Sequence, residues 1–160
     1  MGAIAVILER TITEVPGILL TPLKIIPGPQ GDVLRALRAD EAGFDGFAEA
    51  YFSSVHSGAV KGWKRHSEML LNLVVPIGSI RFCAFRDSVY GTVTLSPENY
   101  FRLTVAPGTW LSFGGVGGSV GGGSGAGSGT NMLLNLANRM HASDETEARS
   151  LDDPSMPRAW

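Results

Sequence analysis

Turn-forming residues cut this chain into short apolar runs, and that punctuation limits its fold more than any other feature. GILLTPLKIIPGP, AEAYFSSV, LLNLVVPIGS, SIRFCAF, TVTLSPEN, YFRLTVAPG and NMLLNLAN follow one another with Gly, Pro, Asn or Ser near their ends. Helical periodicity is scarce. Many short strands separated by turn signals describe a β-sandwich or barrel. YFRLTV alternates, with Tyr100, Arg102 and Thr104 on one face and Phe101, Leu103 and Val105 on the other. Pro76-Ile77-Gly78 is expected to close a hairpin between LLNLVV and SIRFCAF. VLRALRADEAGF reads either as a helix or as a strand and loop, with strand preferred. The expected helix is short and C-terminal, DETEARSL, capped by Ser143 with acids in its first turn. The tail PSMPRAW is expected to be poorly ordered or docked on a partner.

The 160 residues, 44% of them apolar, are enough for one domain with a real core. Its expected span is 1–160, with the glycine-rich segment 114–130 as a long flexible loop inside it. That segment lacks the Lys-Ser or Lys-Thr and the following helix of a phosphate loop. A net charge of −2 gives no general attraction to nucleic acid or to anionic lipid. Cys83 is the single cysteine, so no disulfide forms within one chain, and within IRFCAF it reads as a small buried hydrophobe. The N-terminal AIAVIL is too short for a signal or a membrane span, and the expectation is a soluble cytoplasmic protein.

The stretch VKGWKRHSEMLLNLVVPIGS places Lys61, Lys64 and Arg65 around Trp63 and His66, just before an apolar run broken by Asn72. If Val60 to Ser67 is extended, Val60, Gly62, Lys64 and His66 share one face and Lys61, Trp63 and Arg65 the other. Asn72 needs hydrogen-bond partners if it is buried. Two readings stand level for this strand: the polar mouth of a barrel, or a solvated edge whose charges discourage aggregation. Trp63 and Trp110 can stack on a nucleotide base or pack in the core, and core is preferred for Trp110. Arg35 and Arg38 can clamp phosphate or stand as exposed charges. Tyr51 can donate from a pocket or simply pack.

The order GILLTPLKII, FAEAYFSSVHSGAVKGWKRH, NLVVPIGSIRF, SPENYFRLTVAPGTWLSF, NLANRMH, LDDP, from about Val15 to Pro154, resembles the dTDP-4-dehydrorhamnose 3,5-epimerase family. It is most similar to a divergent branch of sugar-nucleotide epimerase-like cupins. The resemblance implies an all-β cupin, a double-stranded β-helix jelly roll, assembled as a homodimer. It implies no metal or organic cofactor, and a nucleotide-linked 4-keto-6-deoxy sugar as ligand. The family's Arg-Gly-Leu-His matches Lys61-Gly62-Trp63-Lys64, so Lys61 keeps the charge that meets a diphosphate and Lys64 stands where the family base is His. Ala106 to Leu111 match a family Pro-x-Gly-Phe-x-His without its His. Asn135 falls at the family's catalytic Tyr, Glu49 matches a family acid, and Asp153, with Asp152 beside it, matches the Asp that partners the base. A metallo-cupin pattern started from Gly58 keeps only His66 of four ligands, so no metal is expected.

Epimerisation beside a ketone needs a base, donors for the enolate oxygen, and an acid for the other face. Bringing a lysine from about 10.4 to about 7 costs roughly 4–5 kcal/mol, so Lys64 is expected to stay protonated and to hold a phosphate or an enolate. An imidazole titrates near neutrality, which makes His66 the better base. The expected catalytic set is therefore His66, Lys64 and Asp153. The expected substrate-binding set is Lys61, Arg35, Asn72, Glu49, Tyr51 and Asn135. Two functions follow: an epimerase or isomerase acting on a dTDP-4-keto-6-deoxy sugar, or a catalytically silent cupin binding a nucleotide sugar in polysaccharide biosynthesis.

Overall fold

Leu71, Leu73 and Val75 point into the core from the strand Leu71–Ile77, while Asn72 turns to the opposite side. That alternation, repeated along the chain, builds two facing sheets. The computed structural model describes residues 6–117 and 129–160. Among them the strands are β1 (Leu8–Glu9), β2 (Ile18–Pro22), β3 (Ile25–Ile26), β4 (Val33–Leu34), β5 (Glu49–His56), β6 (Val60–His66) and β7 (Leu71–Ile77). They continue with β8 (Ile80–Arg86), β9 (Val89–Leu95), β10 (Phe101–Val105), β11 (Trp110–Gly115), β12 (Thr130–Ala137) and β13 (Thr146–Ala148). One sheet runs β1-β9-β8-β11-β6-β13, the other β2-β10-β7-β12-β5, and β3 and β4 form a small ribbon. All pairs are antiparallel except β1 with β9. This is the all-β cupin jelly roll.

The core between the sheets takes Leu73, Val75, Leu103 and Leu133 from one side and Ile80, Phe82, Leu95 and Leu111 from the other. Each such side chain, fully buried, contributes about 1.5–3 kcal/mol. The alternation read in YFRLTV holds: Leu103 and Val105 enter the core, and Arg102 and Thr104 face outward onto Asn72.

Several local expectations are corrected. β7 and β8 do not form a hairpin, because they belong to different sheets. The chain turns the corner at Gly78, whose φ of 77° is open to glycine and strained for other residues. The hairpin is β8–β9, closed by Asp87 and Ser88 with φ of 51° and 63°, the signature of a type I′ turn. DETEARSL is not a helix: Ser143–Glu145 make one 3-10 turn, with Ala142 at its N-cap, and β13 follows, pairing Thr146 with His66. Of VLRALRADEAGF only β4 is strand; the rest is a loop folded over Asn72 and Arg102.

The tail docks on its own chain. Met156 is buried with Trp63, Cys83 and Trp110 on the outer face of the six-stranded sheet. Trp160 donates its indole N–H to Ser112 Oγ at 2.9 Å, and Arg81 donates to the Ala159 carbonyl at 2.7 Å. The guanidinium groups of Arg65 and Arg149 both lie over the Trp110 ring, 4.6 and 4.9 Å from its centre. Trp63 is fully buried in this cluster and does not reach the cavity, and burial pushes the Cys83 thiol up to about 12. The reading of 114–130 as one long loop is narrowed at both ends, since β11 runs to Gly115 and β12 starts at Thr130. Residues 118–128 lie outside the described residues.

Candidate active site

Between the sheets the core opens into a cavity of about 450 Å³. Leu71, Leu73, Leu111, Phe113 and Leu133 supply apolar wall, and Lys61, Lys64, His66, Tyr51, Ser53, Thr109 and Asn135 supply the polar groups. A few polar groups on an apolar lining is the usual make-up of a small-molecule site.

β6 delivers the cations, and a bulge decides which. Leu111 pairs with Lys64 and Phe113 with Lys61, so two steps on β11 oppose three on β6. The extra residue brings Lys61 round to the side of Lys64 and His66. Strict alternation assigns Lys61 to the far side, and the structure corrects that. Lys61 Nζ donates to Ser53 Oγ on β5 at 2.8 Å. Trp63 and Arg65 keep the outward side that alternation assigns them.

His66 is held from behind. Its Nδ1 lies 2.6 Å from Glu145 Oε1, and both side chains are largely buried. The other carboxylate oxygen, Oε2, accepts the backbone N–H groups of Glu68 and Met69 at 3.2 and 3.3 Å. Burial by itself would raise the Glu145 carboxyl; the bond from His66, with those amides, outweighs it and holds the group below its ordinary value. A carboxylate on Nδ1 places the ring proton there and leaves Nε2 with its lone pair.

Tyr51 on β5 and Asn135 on β12 pair across the sheet, and Asn135 Nδ2 donates to the Tyr51 hydroxyl oxygen at 2.8 Å. Five residues expected at the site therefore meet in one cavity: His66, Lys64, Lys61, Tyr51 and Asn135.

Four expected residues are elsewhere. Asn72 faces away from the cavity: its Nδ2 donates to the Gly43 carbonyl, and its Oδ1 accepts from Arg102 Nε at 3.1 Å and Thr104 Oγ1 at 2.6 Å. Its polarity serves a buried network in which Arg102, with no exposed surface, also pairs with Glu41 at 2.7 Å. Arg35 borders a separate depression with Lys24, Arg38 and Glu41. Glu49 accepts the backbone N–H of His141 at 3.0 Å. Asp153 does not meet His66. Its carboxylate accepts the Ser155 hydroxyl and N–H at 2.6 and 2.8 Å, bonds that hold it below its ordinary value in an exposed turn. The carboxylate that meets His66 is Glu145.

No family model and no curated protein matches the chain. Among solved structures, a dTDP-sugar isomerase from Desulfovibrio desulfuricans is 33% identical, covering 89% of this chain and 90% of that one, with a TM-score of 0.77. The chain belongs to the RmlC-like cupins, beside that dTDP-sugar isomerase.

Two more distant RmlC-like cupins share the fold. One is a 3,5-epimerase from Legionella pneumophila solved in complex with dTDP-4-keto-L-rhamnose, 16% identical, covering 90% of this chain and 78% of that one, TM-score 0.72. The other is a sugar 3,4-ketoisomerase from Thermoanaerobacterium thermosaccharolyticum solved in complex with TDP, also 16% identical, covering 84% and 89%, TM-score 0.67.

In this RmlC-like cupin, sequence reasoning missed Glu145, Ser53 and Thr109. Glu145 was hidden in an acid-rich stretch with the composition of a helix start. Ser53 has a signal, two residues from Tyr51 on the same face of a strand. Thr109 follows Gly108, whose N–H bonds the His66 carbonyl at 2.7 Å, and precedes β11, whose Leu111 pairs with Lys64; these long-range contacts bring it to the cavity.

Proposed function

We propose that this cupin transfers a proton at a carbon beside the keto group of a dTDP-linked 4-keto-6-deoxy sugar, as a 3,5-epimerase or a related isomerase. The observation carrying the reading is the 2.6 Å contact of His66 Nδ1 with Glu145 at the wall of a cavity. His66 Nε2 takes the proton, and Glu145 orients the ring and stabilises the imidazolium that forms. Charge then develops on the former keto oxygen, where the Lys64 ammonium donates. Lys61, positioned by Ser53, meets the diphosphate. Tyr51 and Asn135 bind the sugar; a water on the opposite face protonates the carbon and inverts it, and the imidazolium returns its proton to the hydroxide left behind.

The reading includes a homodimer, and Phe47, Phe52 and Met140 are exposed apolar side chains of the kind an interface covers. A cytoplasmic role in polysaccharide biosynthesis is consistent with the unpaired Cys83, and no helix among the described residues is long and apolar enough to cross a membrane. A catalytically silent, sugar-nucleotide-binding cupin is the second reading, favoured by Asn135 and Lys64 standing at the family's Tyr and His.

Solvent exchange separates the two. The protein is incubated with dTDP-4-keto-6-deoxyglucose in heavy water, and C3 and C5 are followed by NMR. Deuterium enters above the blank with wild type and not with His66→Asn. Binding of the sugar nucleotide with no exchange would leave the silent reading.

A further inference from the structure

Ile26 and Ile25 of β3 pair with Val33 and Leu34 of β4, and one step beyond that ladder Lys24 meets Arg35. The Arg35 N–H donates to the Lys24 carbonyl at 3.1 Å. Cross-strand neighbours project from one face, so two cationic side chains stand opposite each other, an arrangement that destabilises a ladder. Both are exposed and line the depression at the end of β2. Neither has a carboxylate partner among the described residues. The chain carries a net charge of −2, so the pairing does not reflect a generally basic surface. The other charged groups there leave the excess unopposed. Glu41 is the acid lining the depression, and its Oε2 accepts from buried Arg102 at 2.7 Å. Arg38 is held by Asp40 through Nε and Nη2 at 2.9 and 2.8 Å, which leaves its Nη1 hydrogens to a ligand. The backbone beneath is fixed from β10. Tyr100 donates its hydroxyl to the Arg35 carbonyl at 2.7 Å, and Arg102 donates to the Ala36 carbonyl at 2.9 Å.

We infer that this depression, about 320 Å³ in volume, is a second anion site and takes the phosphoryl group of a small phosphate compound. An oxyanion between Lys24 and Arg35 replaces their repulsion with two attractions. The Arg35 fork suits two phosphoryl oxygens, and Lys24 adds a point charge. A carboxylate brings two oxygens and a single charge. A phosphoryl group brings three oxygens and nearly two charges, which matches the three cationic side chains lining the depression. Mounting the cations on a ribbon tied to β10 lowers the ordering cost of binding. The depression shares no lining residue with the cavity that holds His66, so the inference stands apart from the proton-transfer reading.

The test follows backbone amides by NMR as inorganic phosphate replaces chloride at constant ionic strength. In wild type the amides of Leu23 to Ile26 and Val33 to Ala36 shift and saturate. Lys24→Gln and Arg35→Gln each weaken that response about 10-fold or more, the loss of one charge-assisted bond. Arg35→Glu gives Lys24 an ion-pair partner and abolishes the response. Both residues are exposed, so all three variants keep the fold. Lys61→Met controls for phosphate entering the cavity, and the ribbon shifts persist in it at wild-type affinity. A second arm with glycerol 3-phosphate tells a phosphate ester from the free ion, and saturation by either supports the site. No saturable shift at the ribbon in wild type with either compound overturns the inference. So does an unchanged response in Lys24→Gln and Arg35→Gln, or loss of the ribbon shifts in Lys61→Met.

Discussion

Glu145 immediately precedes the residue that pairs with His66: Thr146 lies opposite His66 in the β13–β6 ladder, and the Glu145 carboxylate meets the imidazole at 2.6 Å. The ladder thus delivers the carboxylate to the imidazole. Replacing Glu145 with Gln keeps the shape and removes the charge that stabilises an imidazolium. The expected result is a fall in C3 or C5 exchange of about 100-fold or more, within the range of positioned acid–base catalysis, with dTDP affinity retained. Exchange NMR beside calorimetry measures both; unchanged exchange in Glu145→Gln would remove the dyad from the mechanism.

The same pair makes stability depend on pH. The folded Glu145 carboxyl sits below its ordinary 4.5, so the unfolded chain takes up a proton there first as pH falls. The contribution is fully present above the ordinary value and is lost as pH drops through the lowered folded one. Urea midpoints measured between neutrality and pH 3 should decline more steeply in wild type than in Glu145→Gln. Parallel curves would contradict this.

Lys61 is predicted to contribute to affinity rather than to folding. It is exposed, and one hydrogen bond to Ser53 sets its direction. Lys61→Met should weaken dTDP binding about 10-fold, corresponding to the roughly 1.5–3 kcal/mol of a charge-assisted bond at its lower end, and should reduce its salt dependence. The thermal midpoint should stay within about a degree or two. Equal affinity in the variant would place the diphosphate elsewhere.

Arg102 is predicted to matter for folding alone. Its removal takes the charged partner from Glu41, one of two donors from Asn72 Oδ1, and the side-chain donor from the carbonyls of Ala36 and Ala42. Arg102→Ala should lower stability by about 3–5 kcal/mol in denaturant titration. At a temperature where the variant is still folded, its dTDP affinity should match wild type, because Arg102 faces away from the cavity.

The sequence carried the parts of this structure that obey period two. YFRLTV, and the shared side of Lys64 and His66, follow from the pleat alone, and a jelly roll follows from many such runs with turns between. The side taken by Lys61 was not legible, since the bulge at β6 is set by its pairing with β11 and leaves no mark in the strand's own residues. Asn72 was rightly read as a polar group in need of partners; nothing local told that Arg102 and Thr104, on the outer face, would supply them. The resemblance points to Asp153 as the acid beside His66, while Glu145, which meets it, lies 79 positions further on in an acid-rich run, and strand pairing brings it there.

The additional residue in β6 also limits how relatives of this chain can diverge. Deleting one position between Lys61 and Lys64 would leave them two apart, and strict alternation would then hold both on the cavity side with no bulge. Keeping all three steps while straightening the strand would instead turn Lys61 out as Lys64 and His66 stayed. Among descendants that still handle an anionic ligand, a one-residue gap in this segment should therefore go together with loss of the bulge.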